Sequence, residues 1–293
     1  MTLHFIHWNL NPEIDSFGFP LRYYGMFFAG GILVCVVLLK YIFKREHIPQ
    51  HKLDTLTIYG FVGIFLGARL GHCLLYDPGY YFQHPLEIWL PIKAAADGGY
   101  EYIGYQGLAS HGGIAGLILA LVTYARRTGE SVLNTVDLIS IVAPLGGCFI
   151  RLGNLMNSEI LGFPTSVPWA FVFEREDQLP RHPAQLYEAI MYLLIFLSMY
   201  YLYVNYRPRL KNGFFFGTGM ALVFTSRFLI EFLKERQVTF ESQMALDMGQ
   251  WLSIPFVLAG IGFVVYGLKA TKQETLAASE ATVDRGGHED ITA

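Results

Sequence analysis

The stretch IRLGNLMNSEILG, residues 150–162, places an arginine, two asparagines and a glutamate directly after an apolar run, Ile139 to Ile150, that reads as the end of a membrane-spanning helix. Burying such groups in hydrocarbon is costly, so intramembrane ionisable residues mark functional sites by default. Arg151, Asn154, Asn157 and Glu159 are therefore the first candidates for a site, and their surroundings decide what kind of protein carries them.

Of 293 residues, 53% are hydrophobic and 15% charged. A soluble chain of this length carries about 25% charged residues. The chain reads as an all-α polytopic membrane protein. Its net charge of −3 says nothing about partners, and no basic patch suggests nucleic acid. Cys35, Cys73 and Cys148 all lie in apolar runs and read as small packing residues. An odd number of buried thiols fits neither a disulfide framework nor a metal site. No metal or cofactor is expected.

A bilayer core needs about 20 apolar residues per helix. Seven stretches approach that: 20–43, 53–76, 108–125, 134–152, 184–205, 213–234 and 248–268. The fourth is the weakest, being interrupted by Asp137 and Pro144. Together they form one transmembrane domain over residues 1–272, and the polar 273–293 segment reads as a disordered cytoplasmic tail. Lys44, Arg45 and Lys52 follow the first span, Arg126 and Arg127 the third, Arg207, Arg209 and Lys211 the fifth, and Lys269 and Lys272 the seventh. The alternate loops are acidic. By the positive-inside rule the N-terminus is outside and the C-terminus cytoplasmic. The two external connections, 77–107 and 153–183, are too long to be structureless. Short interfacial helices and a small external cap are expected there.

With that topology the costly groups share one depth. Tyr24, Arg69, His72, His111, Arg151, Gln185, Glu188, Arg227, Glu231 and Lys234 all fall toward the outer leaflet, while Asp137 is the inner exception and reads as a helix-end or packing residue. Some of these have structural readings. Arg227, Glu231 and Lys234 share one helical face and could form an ion-pair ladder. Arg69, beside the four-spaced Gly63, Gly67 and Gly71, reads as a structural partner for a carboxylate. The glycines after His111 permit close approach to it. Two arginines at headgroup depth suit a phosphate, because the guanidinium binds it bidentately and stays charged. His111 offers a base near neutral pH. No serine or cysteine nucleophile motif accompanies it, so the nucleophile arrives with a substrate.

RLGNLMNSEILG resembles the signature of the bacterial prolipoprotein diacylglyceryl transferases. RYYGMFFAGG (22–31), FLGARLGH (65–72), SHGGIAG (110–116), RHPAQLYEA (181–189), RFLIEF (227–232) and MGQWLSIP (248–255) resemble that family's other blocks, in its order, over about residues 15–270. The resemblance implies transfer of the diacylglyceryl group of phosphatidylglycerol to the lipobox cysteine of a preprolipoprotein, in the bacterial inner membrane. A thioether forms and glycerol phosphate leaves. It implies catalytic roles for His111, Arg151 and Arg227. It also implies substrate-binding or supporting roles for Tyr24, Asn154, Asn157, Glu159, Gly162, Glu188 and Glu231. After Glu231 the chain departs from the family pattern, reading FLKERQ, and Val223 stands where a tyrosine is expected. The rival reading from another class is a transporter or flippase for an anionic lipid or solute. Its path should carry polar groups to both faces, whereas the inner halves of these spans are nearly uncharged.

Overall fold

The computed structural model describes residues 5–16, 19–90, 92–94, 99–102, 107, 109–236 and 244–289. The chain divides into two compact units, residues 1–39 with 136–293, and residues 40–135. In chain order the elements are β1 (Ile6–Trp8), β2 (Glu13–Ser16), β3 (Phe19–Arg22), α1 (Tyr23–Arg45), α2 (Gln50–Leu75), α3 (Pro78–Gln83), α4 (Leu86–Trp89), β4 (Ile92–Ala94) and β5 (Tyr100–Tyr102). Then follow α5 (Ser110–Thr128), α6 (Val132–Asn157), β6 (Phe171–Phe173), β7 (Pro180–Arg181), α7 (Ala184–Tyr206), α8 (Phe214–Glu231) and α9 (Met248–Glu289).

Six described helices are long and apolar enough to cross a membrane: Tyr23–Arg45, Gln50–Leu75, Val132–Asn157, Ala184–Arg209, Phe214–Glu231 and Met248–Lys269. The protein is a multi-pass membrane protein. The remaining expected span is α5, a 19-residue helix that opens on Ser-His-Gly-Gly and carries Arg126 and Arg127 in its last turn. It falls outside those six, so the expected count of seven is approximate. Helix α6 runs unbroken through Pro144. Helix α9 continues to Glu289, through most of the segment that composition reads as a disordered tail. Residues 290–293 lie outside the described residues.

In the smaller unit, α2 and α5 meet through glycines. A Cβ on Gly67 would stand 2.9 Å from the Gly116 Cα, and one on Gly71 2.7 Å from the Gly112 Cα. Such spacing lets two backbones touch where larger side chains would hold them apart. The Ala109 amide donates to the Ala68 carbonyl at 2.9 Å, anchoring the start of α5. The connection between α2 and α5 carries α3, α4 and an antiparallel β4–β5 ladder. Arg69 donates through Nε to the Ile88 carbonyl at 3.0 Å and through Nη1 to the Gly107 carbonyl at 3.3 Å, and it also reaches the Glu87 carbonyl. The guanidinium thereby fixes irregular backbone, whose free carbonyls would otherwise be costly beside hydrocarbon.

In the larger unit, Asp137 is fully buried and serves as a cap for another helix. Its carboxylate accepts from the Gly213 and Phe216 amides, both at 2.7 Å, at the start of α8. An anion at a helix N-terminus satisfies orphan N–H groups and the dipole together. The strands form a small cap that the helical periodicity does not announce. β1 lies parallel to β6 (Ile6↔Phe171, Trp8↔Phe173), and β6 is antiparallel to β7. Leu155, Phe171 and Phe173 form its core, with Trp8, Met156, Leu161 and Leu186 packed on them. The Trp8 indole N–H donates to the Leu155 carbonyl at 3.1 Å, joining the cap to the last turn of α6.

Candidate functional site

The expected end of the fourth span at residue 152 is five residues short. Helix α6 runs to Asn157, so Arg151 and Asn154 are helical residues in its last two turns. It stops by a Schellman closure: the Ser158 amide donates to the Leu155 carbonyl at 3.1 Å, and the Glu159 amide to the Asn154 carbonyl at 3.0 Å. Ser158 takes φ 57°, where glycine is usual, and Ile160 takes φ 61°. A β-branched residue in that region carries a strain of order 1–3 kcal/mol.

The closure folds Glu159 back over the helix end. There its carboxylate would oppose the negative pole of the helix dipole. Two amide groups compensate: Asn157 Nδ2 donates to it at 2.8 Å and Asn154 Nδ2 at 3.1 Å. Asn154 then passes the contact inward, its Oδ1 accepting from Arg151 Nη1 at 3.2 Å. Gln185, fully buried in the first turn of α7, donates to the Glu159 carbonyl. The signature is thus a relay from Glu159 through Asn154 to Arg151.

The residues after it are held on both sides by backbone. On one side, the Phe163 amide donates to the Leu233 carbonyl at 2.8 Å and the Glu235 amide to the Leu161 carbonyl at 3.0 Å. On the other, the Gly162 amide donates to the His182 carbonyl at 3.1 Å. A Cβ on Gly162 would lie 2.5 Å from that carbonyl oxygen and 2.8 Å from the Leu233 oxygen, so only glycine fits. Arg181 binds the Gly162 carbonyl at 3.1 Å, Asp177 at 2.5 Å and Glu235 at 2.9 Å.

Arg151 has its ion-pair partner on α7. Its Nε lies 2.9 Å from Glu188 Oε2, while Glu159 connects to it through Asn154. Glu188 is wholly buried, and its other oxygen lies 2.9 Å from Lys234 Nζ. Lys234 also contacts Glu231 at 3.2 Å. The Tyr192 hydroxyl lies in the field of Glu188, Arg151 and Arg227. Arg227 itself makes no ion pair or hydrogen bond among the described residues. It lines a pocket of about 110 Å³ with Arg151, Ile160, Glu231, Lys234, Glu235, Arg236 and Asp247. The expected ladder of Arg227, Glu231 and Lys234 is therefore partial.

Tyr24, in the first turn of α1, lies against α6 where Gly153 leaves room. A Cβ on Gly153 would meet its ring at 2.9 Å. One group of expected site residues thus converges within the larger unit: Tyr24, Arg151, Asn154, Asn157, Glu159, Gly162, Glu188, Arg227 and Glu231. His111 belongs to the smaller unit, exposed in the first turn of α5. Sequence reasoning missed Arg181 and Tyr192. Arg181 meets Glu235 across 54 residues of chain, and nothing local signals such a pairing.

The comparisons agree with these blocks. The family model described as prolipoprotein diacylglyceryl transferase matches residues 12–266. The phosphatidylglycerol--prolipoprotein diacylglyceryl transferase of Bacteroides fragilis is 54% identical over 266 residues, covering 90% of this chain and 96% of that protein. Its namesake from Chloroherpeton thalassium is 42% identical over 275 residues (93% and 98%), and that from Porphyromonas gingivalis 38% over 287 residues (92% and 97%). With the motif blocks, the helices and a match over most of its length, the chain belongs to the prolipoprotein diacylglyceryl transferase family.

Proposed function

We propose that this protein moves the diacylglyceryl group of phosphatidylglycerol onto the lipobox cysteine of preprolipoproteins, at the outer face of a bacterial cytoplasmic membrane. The observation that carries the reading is the pocket in which Arg151 is pinned by Glu188 while Arg227 stands without an ion pair among the described residues. A pinned guanidinium and an unmatched one suit a lipid phosphodiester. The phosphate needs an oriented donor and a cation that does not first have to be freed from a carboxylate.

The bonds follow from the substrates. The cysteine sulfur attacks the diacylglyceryl carbon that bears the phosphate ester. The C–O bond breaks, its electron pair stays on the phosphate oxygen, and glycerol phosphate leaves. Arg151 and Arg227 stabilise the charge gathering on that oxygen. The thiol must give up its proton, and a free cysteine with a pKa of about 8.5 is mostly protonated at neutral pH. His111, exposed at the start of α5, takes it. Tyr24, Asn154, Asn157, Glu159 and Glu231 shape the cleft, Gly162 keeps its wall, and Glu188 orients Arg151. No cofactor is required by this balance, and nucleic acid has no part in it.

The test incubates purified protein in detergent with phosphatidylglycerol and a lipobox-cysteine peptide, then weighs the peptide. A mass gain equal to one diacylglyceryl group, absent when the cysteine is serine, is expected. An unmodified peptide overturns the reading, and lipid movement between leaflets without a thioether product would support a flippase instead. His111→Asn should lose most rate at neutral pH and recover as the pH rises. A flat ratio to wild type across the pH series removes His111 as base. Reporters fused after Lys52, Arg127, Lys211 and Lys272 should all read cytoplasmic, as the lysine and arginine bias requires.

A further inference from the structure

Arg151, Glu188, Lys234 and Glu231 form a chain of alternating charge, with contacts of 2.9, 2.9 and 3.2 Å. Two cations meet two carboxylates, so the chain is neutral as a whole. Arg227 is the cation of this group that makes no ion pair among the described residues. Yet Glu231 sits one helical turn beyond it on α8, the i, i+4 spacing at which arginine and glutamate side chains reach each other. An acid so placed would ordinarily take the arginine.

Two features turn it away. Lys234 is only 7% exposed, and its backbone is fixed by an antiparallel bridge to Gly162. Its ammonium therefore stands between Glu188 and Glu231 and occupies an oxygen of each. Gly249, at the start of α9, supplies the second feature. A Cβ there would lie 2.6 Å from the Glu231 carboxyl carbon, so the missing side chain forms the niche in which that carboxylate rests.

We propose that Lys234 is a positioning residue: by holding the Glu188 and Glu231 carboxylates, it keeps Arg227 unpaired for an anionic phosphodiester. The inference rests on reading the pocket as the lipid-phosphate site. Without the ammonium, the Glu188 and Glu231 carboxylates would face only the two arginines, and Arg227 would be drawn onto Glu231.

The experiment measures thioether formation with phosphatidylglycerol as the varied substrate, on folded full-length variants. Lys234→Arg keeps a cation and should keep the KM for lipid near wild type. Lys234→Met should raise that KM roughly 10- to 100-fold, the worth of a charged hydrogen bond, with a smaller change in kcat. Adding Glu231→Gln to Lys234→Met restores the charge balance and should recover much of the loss. A purely structural lysine would show no such rescue, since the second change removes a further contact. An unchanged KM in Lys234→Met, or a double variant no better than the single, overturns the inference. If Lys234→Met does not insert, Gly249→Ala carries the test: it crowds only the end of a flexible side chain, leaves Lys234 in place and should also raise the lipid KM. An unchanged KM there overturns the inference equally. Wild-type protein that makes no thioether defeats the underlying reading. A KM raised by Arg227→Lys but not by Lys234→Met defeats this inference alone.

Discussion

Glu188 holds Arg151 across the α6–α7 contact, its buried Oε2 lying 2.9 Å from the guanidinium Nε. The pair fixes one arginine of the pocket, and nothing comparable among the described residues fixes Arg227. The two arginines should therefore respond differently to the same substitution. Lysine cannot reproduce a bidentate fork. Losing one preorganised donor costs about 3–4 kcal/mol in the transition state, roughly 10²–10³ in rate. Arg151→Lys and Arg227→Lys should both lose transfer on that scale. Only Arg151→Lys should also lower the melting temperature, because it disturbs the contacts to Glu188 and Asn154. Equal melting temperatures for the two would show that the pin contributes nothing to stability.

Glu188→Gln tests the same pin from its other end. Removing one partner of a buried pair typically costs about 3–5 kcal/mol. The variant should unfold at lower temperature in detergent and transfer more slowly even at saturating lipid. Wild-type stability would mean that the carboxylate is dispensable where it is most buried.

Gly162→Ala should be severe although it adds a single carbon. The new Cβ would meet two backbone oxygens, at 2.5 and 2.8 Å, and backbone cannot step aside as a side chain can. The segments 161–163 and 233–235 would part, moving Lys234 with them. We expect protease sensitivity within the 158–183 connection and transfer reduced by at least the margin of Arg151→Lys. A stable, active alanine variant would refute the two-sided backbone ladder.

Acid should loosen this connection in two stages. Burial pushes the His182 imidazole below its ordinary value. The unfolded chain then takes the proton first, so stability falls as the pH drops below about 6.5. The Arg181 guanidinium beside Asp177 holds that carboxyl below the usual carboxylate range. Its contribution is full above about pH 4 and is lost as the pH falls through the folded value. Melting temperatures from pH 7.5 to 5 should decline for wild type and decline less for His182→Gln. Parallel curves would rule out His182 as the source of the upper stage.

The cysteines should be expendable. All three are free, Cys73 and Cys148 are buried, and Cys35 makes a weak 3.5 Å contact to the Val142 carbonyl. A protein with Cys35, Cys73 and Cys148 all changed to alanine should keep most of its transfer rate. Loss of activity in a folded triple variant would revive a covalent enzyme intermediate.

Much of the fold is legible in local pattern. Apolar length marks the spans, because hydrocarbon demands about 20 such residues wherever they occur. The four-residue glycine spacing of Gly63, Gly67 and Gly71 marks a close helix contact, which proves to be with Gly112 and Gly116. The cap strands are not legible in the same way. β1 pairs with β6 from the far end of the chain, and three-residue strands carry too little periodicity to announce themselves. Helix α6 outruns its expected end for a related reason: the αL residue that closes it is Ser158, a position where glycine is the usual signal.

Apolar runs and motif blocks are enough to recognise a multi-pass α-helical protein of the prolipoprotein diacylglyceryl transferase family, and Arg151 and Arg227 stand out in it because charge in an apolar chain is conspicuous one residue at a time. Which of those charges cancel is settled by the packing of the helices. Arg151 takes Glu188 from another helix, Lys234 takes Glu188 and Glu231 together, and Arg227 takes none of the described acids. Electrostatic pairing depends on a few ångströms between groups far apart in the chain. Those distances exist only once the helices have packed.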